Sequence, residues 1–382
     1  GGPVASYEGD YDQPIVLVFY GGGETNLCNL HHRDLAQHIA AHLWRTRQWV
    51  AAVEPVAAVT DAIAMGHSYE EDPRLSAMGH SLFSRELFAS SIAQQMEINR
   101  ADAAIIITGC DKTVAGGMLA ASWLEERPVV LLHGGTIRAG CTAAGRPIQI
   151  ETAAEAAGML TAGTIDAREH DDILVNALPS PGGCGVMATS NTMAVLASTL
   201  GIAVFTSAST PAMDENHRDI FAVKLAEAEL AGDHLAAMWD EGTTIGNVVD
   251  RRSFYNAATM LHAIGGSTNA VVHLPAIAEG FGVPFGQEEI RARSSTPVLL
   301  NLMPAGKYVM VDLYEKAGGL APLARYMVDN GLLDGGARTV SGQTLGDLLE
   351  QVPAPEFGDP EEAVIRPLDA PVKARSSLVI VK

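Results

Sequence analysis

The sequence predicts an α/β protein in which layered sheets are covered by flanking helices. Two runs, residues 103–107 and 129–132, are continuously apolar, which is typical of strands buried on both faces. Between them lie a polar turn at residues 108–113 and an alanine-rich helical stretch at residues 118–126. This order of strand, turn, helix and strand predicts a βαβ unit and therefore a parallel sheet. Sites in such sheets form beyond the carboxyl ends of the strands.

The length and composition predict more than one domain. The chain has 382 residues, of which 47% are hydrophobic, so we expect two or three domains with substantial cores. The predicted division is an α/β domain with the candidate site at residues 1–210 and a second α/β subdomain at residues 211–352. Residues 353–374 contain five prolines and several acidic residues, which predicts a linker or an edge segment, and the apolar run at residues 378–381 predicts the beginning of a strand, so residues 353–382 form the third predicted part of the chain.

The charge balance excludes several classes of partner. The chain has 25 basic and 45 acidic residues and a net charge of −20, which argues against nucleic acid and anionic membranes. A small anionic substrate is compatible with this charge, because a bound metal ion reverses the sign within one cleft. No apolar run approaches the ~20 residues of a membrane span, and no signal peptide is visible. Four cysteines do not make a disulfide framework in this length, so a reducing, cytoplasmic location is predicted.

The first predicted strand, residues 15–20, is followed by three glycines and by a helix at residues 35–44. Cys28 lies between them, just beyond the strand and close to the start of the helix. A helix N-terminus stabilises a thiolate, so Cys28 is a candidate metal ligand. The alternative interpretation is a buried and inert thiol.

The second predicted strand, residues 53–59, is followed by an acidic residue, Asp61. Asp61 is either a metal ligand or a residue that caps a helix or forms a turn. Residues 66–79 are polar, acidic and interrupted by proline, which predicts a loop. Ser84 is predicted to cap a helix that ends near residue 99.

The polar turn after the next strand places three reactive side chains side by side. These are the thiol of Cys110, the carboxylate of Asp111 and the amine of Lys112. Cysteine is a soft ligand and aspartate is a hard one, so this single turn is able to serve two different metals.

A third cysteine, Cys184, lies in a turn with two prolines and three glycines that opens a helix at residues 193–200. Three cysteines in such turns are more than chance placement of buried thiols predicts. The compact C-x₂-C spacing of a zinc finger is missing, and three separated thiolates leave one metal position open, as catalytic sites do. The fourth cysteine, Cys141, lies in a loop and is predicted to be structural.

The rest of the chain is predicted to be mostly helical. His273 lies in an apolar stretch and is interpreted as a core histidine rather than a ligand. A strand is predicted at residues 297–302, and Thr344 is predicted to cap the last helix. The other predicted helices are residues 151–160, 171–178 (alternatively extended), 219–238, 253–265, 270–278, 314–330 and 345–352.

The motifs at the cysteines resemble those of a known family, the dihydroxy-acid and sugar-acid dehydratases. Residues 108–113, Thr-Gly-Cys-Asp-Lys-Thr, look like the hallmark of this family, and residues 182–193 resemble its second signature. Supporting matches follow the family's order along nearly the whole chain, at residues 24–31, 60–67, 81–86, 265–269, 273–274 and 365–369.

The resemblance implies an iron–sulfur cluster. In this family three cysteines hold the cluster, and they match Cys28, Cys110 and Cys184. One iron is left open to bind the leaving hydroxyl as a Lewis acid. The cysteine at position 28 favours a [2Fe–2S] cluster, and a [4Fe–4S] cluster is the alternative.

The resemblance also implies a Mg²⁺ ion held by carboxylates and a carbamylated lysine, which match Asp61, Asp111 and Lys112. The ion would bind the substrate carboxylate and 2-hydroxyl and acidify the C2 proton. A base then removes this proton, the 3-hydroxyl leaves, and a 2-keto acid forms. The implied partner is a small hydroxy acid, and a homodimer is expected from the family.

The sequence departs from the family pattern after residues 366–369. Family members continue there into a C-terminal β-barrel-like domain that supplies a serine base, and this chain ends where that domain is expected to start. We therefore expect the general base to be absent from this chain. Residues 66–79 look like an insertion, and Ala115 stands where the family usually has proline.

Alternatives remain open for both function and substrate. The first rival is a truncated, non-catalytic iron–sulfur protein that acts as a sensor or partner subunit, and the second is a cluster-free scaffold whose thiols only pack. For the substrate, residues 61–67 and the Cys184 motif favour branched-chain dihydroxy acids. Residues 81–84 resemble the phosphogluconate branch, and aldonic acids stay open.

Overall fold

A parallel four-stranded sheet forms the centre of the fold. The computed structural model describes residues 13–21, 26–56 and 81–379, and the statements below refer to these ranges. The strands run in the order β2-β1-β3-β4, and every neighbouring pair is parallel. Their bounds are Val16–Tyr20 (β1), Ala51–Pro55 (β2), Ala103–Thr108 (β3) and Val129–His133 (β4).

Helices surround this sheet, and one short antiparallel pair of strands lies outside it. The helices are α1 (His32–Arg47), α2 (Ser81–Ile98), α3 (Asp111–Trp123), α4 (Ile150–Thr161), α5 (Ala167–Asn176), α6 (Thr189–Thr199), α7 (Ala222–Glu241), α8 (Ile245–Val248), α9 (Arg251–Ala263), α10 (Ala270–Gly280), α11 (Gln287–Arg291), α12 (Met310–Ala317), α13 (Leu320–Asp329) and α14 (Leu345–Leu349). The short pair is β5 (Gly140–Cys141) with β6 (Pro147–Ile148).

The predicted α/β class with a parallel sheet and flanking helices is confirmed. All residues of β3 and β4 are buried, as the continuous apolar runs predicted, because helices cover both faces of a parallel sheet. One hydrophobic cluster extends from Val16 in β1 to Leu378 near the end of the described chain. The division into domains at residue 210 stays a prediction. None of the helices in the described ranges has the length and apolar character needed to cross a membrane.

The predicted start of helix α3 was wrong. The helix begins at Asp111, directly after Cys110, and includes Gly116 and Gly117, which the sequence analysis placed before it. These glycines allow α3 to pack closely against its neighbours. A β-carbon at position 116 would lie 2.9 Å from the carbonyl oxygen of Arg85 in α2, and one at position 117 would lie 2.7 Å from the Thr108 side chain. Close helix packing, rather than a turn, explains the glycine pair.

Two other helices also begin earlier in the chain than the sequence predicted. Helix α2 begins at Ser81, so Ser84 lies inside the helix and does not cap it. Helix α6 begins at Thr189 rather than residue 193. In contrast, the predicted cap at Thr344 is confirmed, because its side chain accepts a hydrogen bond from the backbone nitrogen of Asp347.

The predicted strand at residues 297–302 and the single helix at residues 314–330 were also wrong. Val298 and Leu300 form only single antiparallel bridges, because they meet separate residues near the end of the described chain. The helix is divided into α12 and α13 by Gly318 and Gly319, whose φ angles are 73° and 86°. Positive φ angles in two successive residues cannot be continued as a right-handed helix.

Candidate metal centre

Three of the four cysteines meet in one small cavity. Cys28, Cys110 and Cys184 line a space of about 50 Å³, and the Sγ atoms of Cys28 and Cys110 are 3.2 Å apart. None of the cysteines forms a disulfide, and Cys141 is exposed elsewhere. The other residues that line the cavity are Leu27, Ile137, Ile150, Leu178 and Gly182. The structure thus brings together the three thiols that the sequence analysis singled out, in an almost entirely apolar environment.

The sheet topology explains why two of these thiols meet. The chain runs from β1 outward to β2 and then returns to β3 on the other side of β1, so β1 and β3 are the neighbours at which the strand order reverses. Ligands in open α/β sheets bind at such a switch point, beyond the carboxyl ends of the strands. Cys28 lies in the 3₁₀ turn Leu27–Asn29 after β1, and Cys110 lies directly after β3.

Backbone hydrogen bonds and a glycine hold the turn that carries Cys184. The backbone nitrogen of Gly183 donates to Gly135, and its carbonyl oxygen accepts from Ile137, at 2.9 and 2.7 Å. Gly182 has a φ of 137°, and a β-carbon there would lie 2.7 Å from the backbone nitrogen of Ile137. The turn therefore lies directly against the segment after β4, and only glycine permits this approach.

The first turn of α6 connects the turns of Cys184 and Cys110. The side-chain amide of Asn191 donates to the carbonyl oxygens of Cys184 and Val186, at 2.5 and 2.6 Å. The hydroxyl of Ser190 donates to the carbonyl oxygen of Gly109, at 2.9 Å. These side-chain contacts fix the position of one cysteine turn relative to the other.

Asp111 and Lys112 form a buried ion pair in the first turn of α3. The exposed fractions of the two residues are 6% and 4%, and Lys112 Nζ lies 2.7 Å from Asp111 Oδ2. The other carboxylate oxygen, Oδ1, is buried and has no hydrogen-bond partner among the described residues. A buried oxygen of this kind costs free energy unless a hydrogen-bond donor or a cation contacts it. The donor set therefore fits a hard cation.

Two residues from other helices lie near this pair, namely Arg85, which is itself paired with Glu86, and His273. Arg85 of α2 donates through Nη1 to Nδ1 of His273 in α10, at 3.0 Å. Burial, together with the positive charges of Lys112 and Arg85, lowers the pKa of His273 to about 3. His273 is therefore neutral and accepts this hydrogen bond. Sequence reasoning missed Arg85, and it assigned His273 to the core without a role.

The magnesium ligands implied by the sequence are only partly within the described chain. Asp61 and residues 66–79 lie outside the described residues. Among the residues that the structure describes, no three His, Cys, Asp or Glu side chains are grouped closely enough to bind a single metal ion. The three thiols of the cysteine cavity are soft metal ligands, and the unpartnered oxygen of Asp111 is a hard one.

Three buried histidines lie next to the cysteine turns. His31 donates through Nε2 to the carbonyl oxygen of Gly134, at 2.7 Å. A β-carbon at Gly109, the residue before Cys110, would lie 2.6 Å from the ring of His32. Burial is the main cause that lowers the pKa of His31 to about 4 and that of His133 to about 3, and it lowers the pKa of His32 well below 6.5. The metal centre is therefore bordered by neutral imidazoles.

A second buried ion pair lies behind these histidines in α7. Lys224 Nζ is 2.6 Å from Oε2 of Glu227 and donates to the carbonyl oxygens of His133 and Ser207, at 3.1 and 3.0 Å. Burial lowers the pKa of Lys224, and Glu227 opposes this shift. Sequence reasoning missed this pair. The sequence pattern that could have predicted the pair is the helical spacing, which places Lys224 on the same buried face of α7 as Ala228.

Stability is expected to fall in mild acid because of the buried histidines. The pKa values of these histidines in the folded state lie below 6.5, so the unfolded chain binds more protons in mild acid. Their contribution to the free energy of unfolding is therefore present above pH ~6.5 and is lost as the pH falls towards 4 and 3. Each such histidine should contribute about 1.4 kcal/mol per pH unit between pH 6 and 4.5. Urea unfolding at pH 7.0 and 5.0 measures this difference. The substitution His133→Asn should reduce the difference in stability between the two pH values. The control His170→Asn, in the mostly exposed helix α5, should leave this difference unchanged. Equal pH dependence in both variants would show that His133 is not a source of the loss of stability.

Comparison with known proteins extends these observations. Residues 13–348 match the family model described as dihydroxy-acid/6-phosphogluconate dehydratase N-terminal. The chain is 36% identical over 376 residues to the dihydroxy-acid dehydratase astD, mitochondrial, of Aspergillus terreus, covering 98% of this chain and 59% of that protein. It is also 36% identical to the dihydroxy-acid dehydratase of Nitrosomonas europaea and 35% identical to that of Prochlorococcus marinus, covering 98% of this chain and 64% of each relative. The chain therefore spans about three fifths of the length of these curated relatives.

Proposed function

Because the chain belongs to the dihydroxy-acid/6-phosphogluconate dehydratase family, we propose that the complete protein is a hydro-lyase that converts a 2,3-dihydroxy acid to a 2-keto acid. The observation that carries this proposal is the meeting of three thiols from separate parts of the chain beside a buried carboxylate. An elimination of water needs one group that withdraws electrons at the proton-bearing carbon and another that accepts the leaving hydroxyl. The two kinds of ligand at this site are suited to these two tasks.

Cys28, Cys110 and Cys184 would hold an iron–sulfur cluster, proposed as [2Fe–2S] with [4Fe–4S] as the alternative. Thiolates are the soft ligands that such clusters require, and the apolar side chains around the cavity limit the access of water. The N-terminus of α3 lies at Cys110 and favours the ionised sulfur. Asn191 and Ser190 hold the other cysteine turn in place, which keeps the thiols preorganised.

Asp111, Lys112 and Asp61 would hold a Mg²⁺ ion, with Lys112 carbamylated. When bound, the cluster and the Mg²⁺ ion supply Lewis acids for the leaving hydroxyl and for the substrate carboxylate and 2-hydroxyl. The unpartnered oxygen of Asp111 supports this ligand role. Carbamylation would replace the ammonium beside Asp111 by an oxygen ligand of opposite charge.

The proposed metal site supports an anionic substrate. Lys112 and Arg85 are each paired with a carboxylate, Asp111 and Glu86. The bound metal ion would therefore supply the positive charge that attracts a hydroxy-acid anion despite the chain's net charge of −20. The named relatives act on dihydroxy acids, which makes a branched dihydroxy acid the first substrate to test. The homodimer and the cytoplasmic location stay predictions.

The proposal is tested by 2-keto acid formation by the complete protein, purified without oxygen and with its iron content verified. The substrates to compare are 2,3-dihydroxy-3-methylbutanoate, 6-phosphogluconate and an aldonate. We expect turnover with the branched dihydroxy acid and a loss of more than about 100-fold in Asp111→Asn, since a Lewis-acid ion contributes several kcal/mol to the transition state. Iron-loaded protein that forms no keto acid from any of the three would contradict the proposal and favour the non-catalytic iron–sulfur protein.

A further inference from the structure

A large cleft lies away from the cysteines and is lined by arginines. It has a volume of about 830 Å³, and no residue that lines it also lines the cysteine cavity. The start of α9, the segment after α11 and the loop after α13 form its walls. Its charged lining residues are Arg251, Arg252, Arg293, Asp250 and Asp334. A cleft with more arginines than carboxylates is unexpected in a chain with a net charge of −20.

Only one of the three guanidinium groups is neutralised by carboxylates. Arg252 lies 3.4 Å from Asp334 and 3.8 Å from Asp250, and it also donates to the carbonyl oxygen of Gly336 at 2.9 Å. Among the described residues, neither Arg251 nor Arg293 forms an ion pair with a carboxylate. Two guanidinium groups of the cleft thus lack a carboxylate partner among the described residues, and the charged residues that line the cleft carry one net positive charge.

Both of these arginines are positioned by the same aromatic ring. The guanidinium carbons of Arg251 and Arg293 lie 5.3 and 4.7 Å from the ring centroid of Tyr255. Arg251 also donates to the Tyr255 hydroxyl at 3.0 Å, and the ring packs edge-on against Phe285. Stacking fixes the plane of a guanidinium while it leaves N–H groups at the edge free to donate. The two side chains are thus held in place without a partner for their charge.

Arg293 also carries an unsatisfied donor. Its Nε is buried and has no hydrogen-bond partner among the described residues. Buried N–H groups of charged side chains are rarely left without an acceptor, because the desolvation of the group is not compensated. The acceptors that best match a guanidinium are the oxygens of phosphate and carboxylate groups.

We propose that this cleft binds a small multivalent oxyanion, of which the phosphoryl group of a metabolite is the best match, through Arg251 and Arg293. Two guanidinium groups around one ring suit a group with several negatively charged oxygens better than a single carboxylate. The volume exceeds that of inorganic phosphate and falls within the range of small-molecule sites, so an organic phosphate has room. The site is separate from the metal centre, and it does not depend on the proposed dehydratase activity.

Calorimetric titration of the purified protein with inorganic pyrophosphate tests this site, with acetate as a monovalent comparison. We expect pyrophosphate to bind and acetate not to bind. The double variant Arg251→Gln and Arg293→Gln should weaken pyrophosphate binding by at least about tenfold, because each charge-assisted hydrogen bond to an oxyanion is strong. The matched control, Arg338→Gln, removes one exposed arginine outside the cleft and should bind as tightly as the wild type.

A second measurement needs no substitution. Phenylglyoxal modifies accessible guanidinium groups, and peptide mass spectrometry identifies the modified residues. Pyrophosphate should slow the modification of Arg251 and Arg293 several-fold and should leave that of Arg338 unchanged. Absence of binding at millimolar pyrophosphate, or equal protection of all three arginines, would overturn the proposal. So would unchanged affinity in the folded double variant.

Discussion

The substitution Cys110→Ala is expected to abolish cluster binding and, with it, the proposed dehydratase activity. Cys110 lies 3.2 Å from Cys28 at the switch point of the sheet and at the N-terminus of α3, so no other described thiol is able to replace it. Loss of one of the three proposed thiolate ligands leaves only two to hold the cluster. The purified variant should contain less than about a tenth of the wild-type iron and acid-labile sulfide, and its visible absorbance should disappear.

The fourth cysteine provides the matched control for this experiment. Cys141 lies in the short strand β5, is exposed and does not line the cavity, so Cys141→Ala should retain its iron, sulfide and absorbance. Cys28→Ala and Cys184→Ala should behave like Cys110→Ala. Wild-type iron and sulfide in any of these three variants would show that the cavity does not hold the cluster.

The substitution Lys224→Met is expected to lower the free energy of unfolding by about 3–5 kcal/mol. Methionine fills a similar volume, but the change leaves the Glu227 carboxylate buried without its cation, and two buried carbonyl oxygens lose their donor. The cost of an uncompensated buried charge exceeds the cost of an ordinary core substitution. Urea unfolding at neutral pH measures the difference.

Two further variants separate the buried charge from the loss of packing. Lys316→Met removes an exposed partner of Asp312 in α12, and it should cost less than about 1 kcal/mol. The double variant Lys224→Met and Glu227→Gln removes both charges and should be more stable than Lys224→Met alone. If the double variant were the less stable of the two, the unpaired carboxylate would not be the source of the loss.

Strands β3 and β4 were predictable from sequence because they are buried on both faces. Residues 103–107 and 129–132 contain no polar residue, which is typical of strands inside a parallel sheet. Strand β2 is only partly buried, and it lies at residues 51–55 rather than at the predicted residues 53–59. The meeting of Cys28 and Cys110 was implied by the family resemblance, and in the chain each of them follows a strand of the sheet, Cys110 directly and Cys28 several residues after β1. For Cys184 the sequence provides only the turn, and its position depends on hydrogen bonds from Asn191 that no local pattern reveals.

The features that the sequence did not predict depend on tertiary packing. Gly116 and Gly117 indicate a turn by local propensity, but they lie inside α3, where α2 approaches Gly116 and β3 approaches Gly117 too closely for side chains. Arg85 and Lys224 are ordinary helical residues in the sequence, and only the structure shows that they are buried. The two arginines of the cleft, Arg251 and Arg293, are 42 positions apart, and their shared stacking on one ring is a tertiary feature.

The three cysteines are far apart in the sequence, and this separation would link the amount of the protein in the cell to cluster binding. Cys28 and Cys110 are 82 positions apart, so a cluster held between them closes a long loop, as a disulfide would, and removes much of the chain's freedom when unfolded. The pairing of β1 with β3 brings two of the proposed ligands together, so cluster binding would stabilise the folded sheet. Under the proposed ligation, iron-starved cells would accumulate a looser form that proteases degrade faster, and iron supply would set the amount of this protein.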